Sequence, residues 1–358
     1  LSIHNNVVTG NATGIKIDKH TLTTERVAVL GNNLSSNSLW ALNVTSVVLS
    51  PVDASGNWWG DATATGVPTK FTGLVDYTPW LAVGTEDPVT GGDPGFQGDF
   101  RTLWVDDNSP QVVPVGRIQE GVNLVSGSTV NVAPGMYLER VLVNRPMSLL
   151  GATAGINKSG YPVPSNYGWN TAIESVISNP TPEPTLDVTV VDLAADNIVF
   201  KGFVVQSLNA PPGSANDQLL RINAQGFLRT GLVIQNNIIG PNTNVVSQVG
   251  TNGRMGLYFA SPNYPPGGFG VTNTLVSGNK IFDCRGNGDN VFIWGAAASY
   301  SSPGNATYAG TVIEDNEIYD RPDRALSARH SLLRLRVVEG RGLVTFKEKV
   351  ESDLRAKV

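Results

Sequence analysis

The chain holds a single cysteine, Cys284, in 358 residues, and that scarcity removes several options at once. No disulfide can form within it, and thiolate metal sites, which need several cysteines together, are excluded. Histidine is nearly as rare, with His4, His20 and His330 far apart. Charge is sparse too: Asp, Glu, Lys and Arg make up 15% of residues, against 41% hydrophobic. A chain that apolar and that weakly charged folds instead of staying disordered. Its net charge of -5 points away from nucleic acid, whose phosphates need a basic surface. No run of roughly 18 apolar residues exists, so no membrane-spanning helix is expected. The sequence opens at Leu1 without Met and shows no signal peptide; it reads as a processed chain or a piece of a longer one.

What is plentiful is Gly (39), Pro (22) and Asn, organised as repeats. The segment 232–239 (LVIQNNII) is echoed at 275–281 (LVSGNKI), 311–318 (TVIEDNEI), 27–34 (VAVLGNNL) and 1–7 (LSIHNNV). Each unit is a short β-branched run, then Gly, Asp or Asn followed by Asn, then another apolar residue. Apolar positions alternate over only four or five residues, which is a strand signal. Asn tolerates the left-handed backbone of a sharp corner. In coils stacked about 4.8 Å apart, corner Asn side chains can bond into a ladder. The spacing assigns Asn6, Asn33 and Asn57 to one such ladder and Asn237, Asn279 and Asn316 to another. An antiparallel sandwich would show two-residue hairpin turns between strands, and these are largely missing. The expected fold is all-β: a right-handed parallel β-helix, a solenoid, in two tandem modules.

These units resemble the Asn-rich repeats of the pectin-lyase-like family, including its carbohydrate-binding and sugar-hydrolase (CASH) modules, over roughly 1–82 and 100–320. Residues 57–60 (NWWG) and 73–81 (GLVDYTPWL) are similar to the C-terminal closing segment of bacterial and archaeal β-helix modules. So 1–82 reads as the last coils and cap of a first β-helix, with an aromatic sugar platform at Trp58 and Trp59 as the alternative. Residues 83–99, rich in Gly, Pro and Asp, read as a linker. Residues 100–320 read as a second β-helix whose first coil is covered by an amphipathic helix near 116–125, with Ile118, Val122 and Val125 on one face. The first module has no N-terminal cap of its own, so self-association through β-helix ends is expected. The tail 321–358 carries ten Lys and Arg against five Asp and Glu. Residues 331–338 alternate like a strand, and Phe346, Val350, Leu354 and Val358 lie at helical spacing. A cap, a contact with an acidic subunit and a shifted reading frame all remain open for this tail.

The resemblance implies chemistry that few residues support. The polygalacturonase signatures, an Asp pair with Gly-His-Gly and Arg-Ile-Lys, are absent. Residues 290–295 (NVFIWG) resemble a pectin-esterase strand, but Asn290 or Val291 stands where the catalytic Asp belongs. Lyases of this type use carboxylates for Ca²⁺ and a basic group. The best candidates here are Asp283, Arg285 and Asp289, with Glu314, Asp315 and Glu317 one coil later. Asp and Asn are equally ordinary corner residues, and no cofactor beyond Ca²⁺ is suggested. Loop aromatics beside amides can stack sugars, which nominates Trp169, Tyr258, Tyr264 and Trp294 for glycan contact. Asn-x-Ser/Thr triplets at Asn11, Asn33, Asn43, Asn157 and Asn305 are glycosylation candidates. The expected function is a noncatalytic extracellular or cell-surface structural protein that self-assembles, with a polysaccharide-binding or polysaccharide-degrading protein as the alternative.

Overall fold

A computed structural model describes residues 1–18, 27–45, 50–90, 92–180, 189–208, 218–242, 255–260, 270–282, 284, 291–293, 309–318, 331–338 and 341–348; along 292–293, 331–338 and 341–348 it is the backbone that is described. Strands dominate, and the helices among the described residues are one α-helix, Arg117–Leu124, and a 3₁₀ turn, Val67–Thr69. No helix among them is long and apolar enough to cross a membrane. Two compact units emerge. The first is Leu1–Val141, Met147–Ala152 and Thr171–Ser175; the second is Leu142–Pro146, Thr153–Asn170 and Val176–Val358.

In the first unit, Ser2–His4, Ala28–Leu30, Val52–Asp53 and Val75–Asp76 form one parallel sheet. Thr13–Ile17, Trp40–Val44 and Phe71–Thr72 form a second. The chain alternates between the two, returning to each in register. Trp80–Leu81 then pairs antiparallel with Thr102–Val105, onto which Thr129–Val132 and Ser148–Gly151 add in parallel. The period-two pattern sets which side faces inward: Val130 and Val132 are buried while Thr129 and Asn131 are partly exposed. Residues 83–99 belong to this unit, with Phe96 buried and its N–H donated to the Asn5 carbonyl at 2.8 Å. The core carries an aromatic series, Trp59, Phe71, Tyr77, Trp80 and Trp104, with successive ring centroids 5.1–6.4 Å apart. Each such ring removes a large apolar area from water, which is where most of the folding free energy arises.

The helix Arg117–Leu124 buries Ile118, Gly121 and Val122, and Val125 just beyond it is buried too. Its N-cap, Gly116, is extended and has no side chain to offer. Glu139 supplies the cap from elsewhere, its two carboxylate oxygens accepting from the Ile118 and Gln119 N–H groups at 3.0 and 2.9 Å. Those amides would otherwise lack partners, and the negative charge also suits a helix N-terminus.

In the second unit the chain runs a circuit through Val199–Lys201, Phe203–Ser207, Gln218–Asn223 and Leu228–Thr230. It repeats the circuit through Val233–Gln235, Ile238–Asn242, Met255–Ala260 and Gly270–Thr272, and then through Leu275–Ser277, Lys280–Ile281 and Val291–Ile293. Val312–Glu314 and Glu317–Ile318 follow. Each strand pairs in parallel with its counterpart one circuit later. Ser331–Val338 and Arg341–Glu348 make an antiparallel hairpin. Phe346 therefore sits in a strand, which corrects the helical spacing expected to start there: β-formers at 343–346 find a paired partner strand, and cross-strand pairing outweighs a local period.

Both units turn the same corner in the same way. Asn5, Gly31 and Gly56 in the first unit have φ of 57°, 60° and 71°; Asn236, Gly278 and Asp315 in the second have 59°, 65° and 53°. The residue after each is an Asn whose side chain points along the stack. Asn32 Oδ1 accepts from the Asn6 N–H and Nδ2 at 2.9 and 3.1 Å, and Asn57 Oδ1 accepts from those of Asn32 at 2.8 and 3.1 Å. Asn279 and Asn316 serve Asn237 and Asn279 in the same manner at 2.8–3.0 Å. The expected ladder of Asn6, Asn33 and Asn57 is thus corrected by one residue. The ladder position follows the left-handed corner residue, and Gly31 makes that Asn32. Asn33 instead holds its own turn, its Oδ1 accepting from the Ser35 N–H and hydroxyl. Gly56 is required twice over, because a Cβ there would also strike the Phe100 ring.

Candidate functional site

The second unit presents one outward cluster built on two of its strands. Arg221 and Asp192 are register partners on neighbouring strands. Their side chains form a two-pronged ion pair, with Nε and Nη2 at 3.0 and 2.6 Å from the two carboxylate oxygens. The Asp192 hydrogen bonds hold the guanidinium even more firmly protonated. Asn223, two residues on, donates its Nδ2 to Asp192 at 3.3 Å. The chain then turns at Gly226, whose φ of +73° suits a residue without Cβ. Phe227 follows, 57% exposed, with the Arg229 guanidinium 4.7 Å over its ring centroid. Arg229 is itself tied back by Nε to the Asn223 carbonyl at 2.8 Å. The result is a large exposed ring with one side against a cation and amide and carboxylate groups next to it. Such a surface can stack an apolar face and exchange hydrogen bonds around it.

The first unit has an open cleft of about 370 Å³ lined by Thr65, Asp106, Asp107, Asn108, Pro134 and Thr171 among others. Its carboxylates are already engaged. Asp106 Oδ1 accepts from the Asn108 N–H and Nδ2 at 2.8 and 2.9 Å, and Asp107 Oδ2 accepts from the Met136 N–H at 2.7 Å. Burial pushes the Asp106 carboxyl above its usual range. The lining contains neither a histidine nor a cysteine. These contacts are turn chemistry beside a concavity.

The positions nominated from sequence are dispersed. Trp169 is 7% exposed and donates its indole N–H to Gln206 Oε1 at 3.0 Å; Tyr258 is 4% exposed. Neither ring presents an open face. Asp283, Arg285, Asp289, Tyr264, Trp294 and Asn305 lie outside the described residues, as do His20 and His330. Glu317 takes the Lys280 ammonium at 2.7 Å and the Gly160 N–H at 2.6 Å, so it clamps a loop. Among the described residues no three His, Cys, Asp or Glu side chains gather as a metal site. Asn11 and Asn157 are exposed, while Asn33 and Asn43 are half-buried. Trp59 lies in the aromatic core, and Trp58 lies against Gly84. Sequence reasoning missed Phe227. Its signal was a lone aromatic straight after Gly in an otherwise polar turn, 223–226 (NAQG).

Compared with known proteins, the chain matches no family model, no curated protein and no solved structure.

Proposed function

We propose that this chain is a right-handed parallel β-helix of the pectin-lyase-like kind, serving as a noncatalytic extracellular or cell-surface scaffold. The observation that carries the reading is the repeated circuit: strand after strand returns to the same parallel sheets in the same order, with an Asn ladder at the same corner. Parallel strands joined by such returns are right-handed in the great majority of proteins, which supports the hand. A solenoid of this kind spends its sequence on stacking, and its faces serve as surfaces. Incubation of the chain with a panel of neutral and acidic polysaccharides, with and without Ca²⁺, is expected to yield no cleavage product. Product release abolished by Asp283→Ala or Asp289→Ala would overturn the noncatalytic assignment. Self-association is read by sizing the protein when dilute and when concentrated; one strict monomer under both conditions ends that part.

One observation favours a glycan-binding role for the scaffold: the exposed Phe227 ring with Arg229, Asn223 and the Asp192–Arg221 pair beside it. Stacking one sugar on an aromatic is worth on the order of 1 kcal/mol. On this reading Phe227→Ala weakens retention on an immobilised polysaccharide about fivefold while leaving the thermal unfolding midpoint in place. Equal retention of the two proteins across the panel sinks it.

A further inference from the structure

Beneath the helix of the first unit, one hydroxyl is asked to satisfy more oxygens than its single proton allows. Ser55 Oγ lies 2.7 Å from Asp53 Oδ1, 3.0 Å from the Thr78 carbonyl and 3.1 Å from Glu120 Oε1. A serine hydroxyl donates once and accepts through its lone pairs. The Thr78 carbonyl can never donate. Asp53 Oδ1, the oxygen that faces the hydroxyl, already accepts the Ser55 N–H at 3.2 Å and so is an acceptor there. The remaining contact therefore needs its proton from Glu120. With Glu120 as the acid, the Ser55 proton has only Asp53 and the Thr78 carbonyl left to serve, at 2.7 and 3.0 Å. Gln111 Nε2 donates to Glu120 Oε2 at 2.7 Å, Glu120 Oε1–H donates to Ser55 Oγ, and Ser55 Oγ–H donates to Asp53.

The charges around this chain argue the same way. Asp53 and Asp76 face Glu120 from two adjacent strands, and both make a charge on it costlier. Asp76 is fully buried and well supplied with donors, the Ser109 hydroxyl at 2.9 Å and the Val112 N–H at 2.7 Å. The nearby cation, Arg117, gives its Nε to the Ser109 carbonyl. Glu139, at the start of the helix, is committed to helix amides. A third negative charge at Glu120 would stand among two others with no donor left for it at Ser55.

We propose that Glu120 is a proton-held latch: its acid proton fastens helix Arg117–Leu124 to Ser55, just past strand Val52–Asp53, and losing that proton to solvent loosens the helix. Burial, with Asp76 and Asp53 adding to it, lifts the Glu120 carboxyl to about 7, so the latch releases around neutral pH.

The test is amide hydrogen exchange across 117–124 in the full chain at pH 6 and pH 8, after correction for the intrinsic rate. Protection is expected to fall about tenfold between the two, since one pH unit past the midpoint is worth one factor of ten. In Glu120→Gln the side-chain amide donates to Ser55 while its carbonyl still accepts from Gln111, so the drop should shrink to about twofold, the part left by Asp76. Equal protection of the wild-type helix at pH 6 and 8, or an undiminished drop in Glu120→Gln, overturns the latch. Should that variant fail to fold, the side-chain carboxyl carbon of Glu120 is followed by NMR in the unaltered protein. A midpoint near neutrality upholds the proposal, and one in the ordinary glutamate range overturns it.

Discussion

At the scale of single residues, the corner dipeptide is the most informative feature of this chain. A left-handed residue followed by Asn recurs at 5–6, 31–32, 56–57, 236–237, 278–279 and 315–316. The first residue bends the chain. The second gives its backbone N–H and Nδ2 to the next Asn along, and Asn279 Nδ2 also reaches the Ile234 and Ser277 carbonyls at 2.9 and 3.1 Å. Asn279 is fully buried, so removing its amide strands several backbone groups away from water. Asn279→Ala is expected to cost about 2–3 kcal/mol, from unsatisfied buried partners. In the first unit Asn32→Ala should cost a similar amount and Asn33→Ala about 1 kcal/mol or less, because Asn33 serves only its own turn. Urea unfolding of the three variants measures both differences. The ladder was legible as a motif in the sequence; its register in the 31–33 triplet was not, because two adjacent asparagines differ only in which one follows the bend.

At the scale of elements, helix Arg117–Leu124 shows what a periodic pattern can and cannot say. The spacing of Ile118, Val122 and Val125 announces the helix and its buried side, and all three are inside. Nothing local announces its cap, since Gly116 has no side chain and Glu139 lies 20 residues or more downstream of the amides it serves. Glu139→Ala is expected to destabilise the first unit by about 1–2 kcal/mol, in line with the loss of an N-cap. Glu139→Gln should retain part of that, because an amide oxygen still accepts one N–H. Thermal unfolding followed by circular dichroism orders the three proteins. Gly116→Ala should be worse than its helix propensity implies, because a Cβ there would collide with the Glu139 carboxyl. Loop aromatics taught the opposite lesson. Trp169 and Tyr258 looked like platforms by composition, yet packing carried both inside, whereas Phe227 is exposed.

At the scale of the whole molecule, buried carboxyls set the response to pH. Burial raises Asp76 to about 6 and Glu120 to about 7, and lifts Asp106 and Glu139 as well, all in the first unit. A carboxyl raised on folding holds its proton more tightly folded than unfolded. Its stabilising contribution is complete below the unfolded value and is lost as pH rises through the folded one. For Asp76 and Glu120 that window runs from about pH 4, the ordinary carboxyl range, to their raised values near 6 and 7. Asp61 and Asp99 are lowered by hydrogen bonds to Thr63 and Arg101, so their contribution fades only in stronger acid. The unfolding midpoint should therefore fall between pH 5 and pH 8. Asp76 accounts for a loss of roughly 1–1.5 kcal/mol over that range, the rest of its contribution being lost between pH 4 and 5, and Glu120, partly exposed and screened, adds a discounted loss of its own. A midpoint that rises over this range contradicts the assignment.

The amino-acid sequence alone determined that the chain is all-β, that its repeated strands pair in parallel, and that Gly, Asn or Asp stands at the corners. Those properties rest on period-two alternation, the scarcity of hairpin turns between the repeats and the left-handed backbone, each of which acts within a few residues of itself. Only the tertiary structure decided which asparagine enters the ladder, that 83–99 packs into a unit, which aromatics meet solvent, and that Asp53, Ser55, Asp76, Gln111 and Glu120 meet under one helix. Proton affinity and exposure depend on neighbours brought together across 65 residues, as Ser55 and Glu120 are, and no local pattern records such meetings.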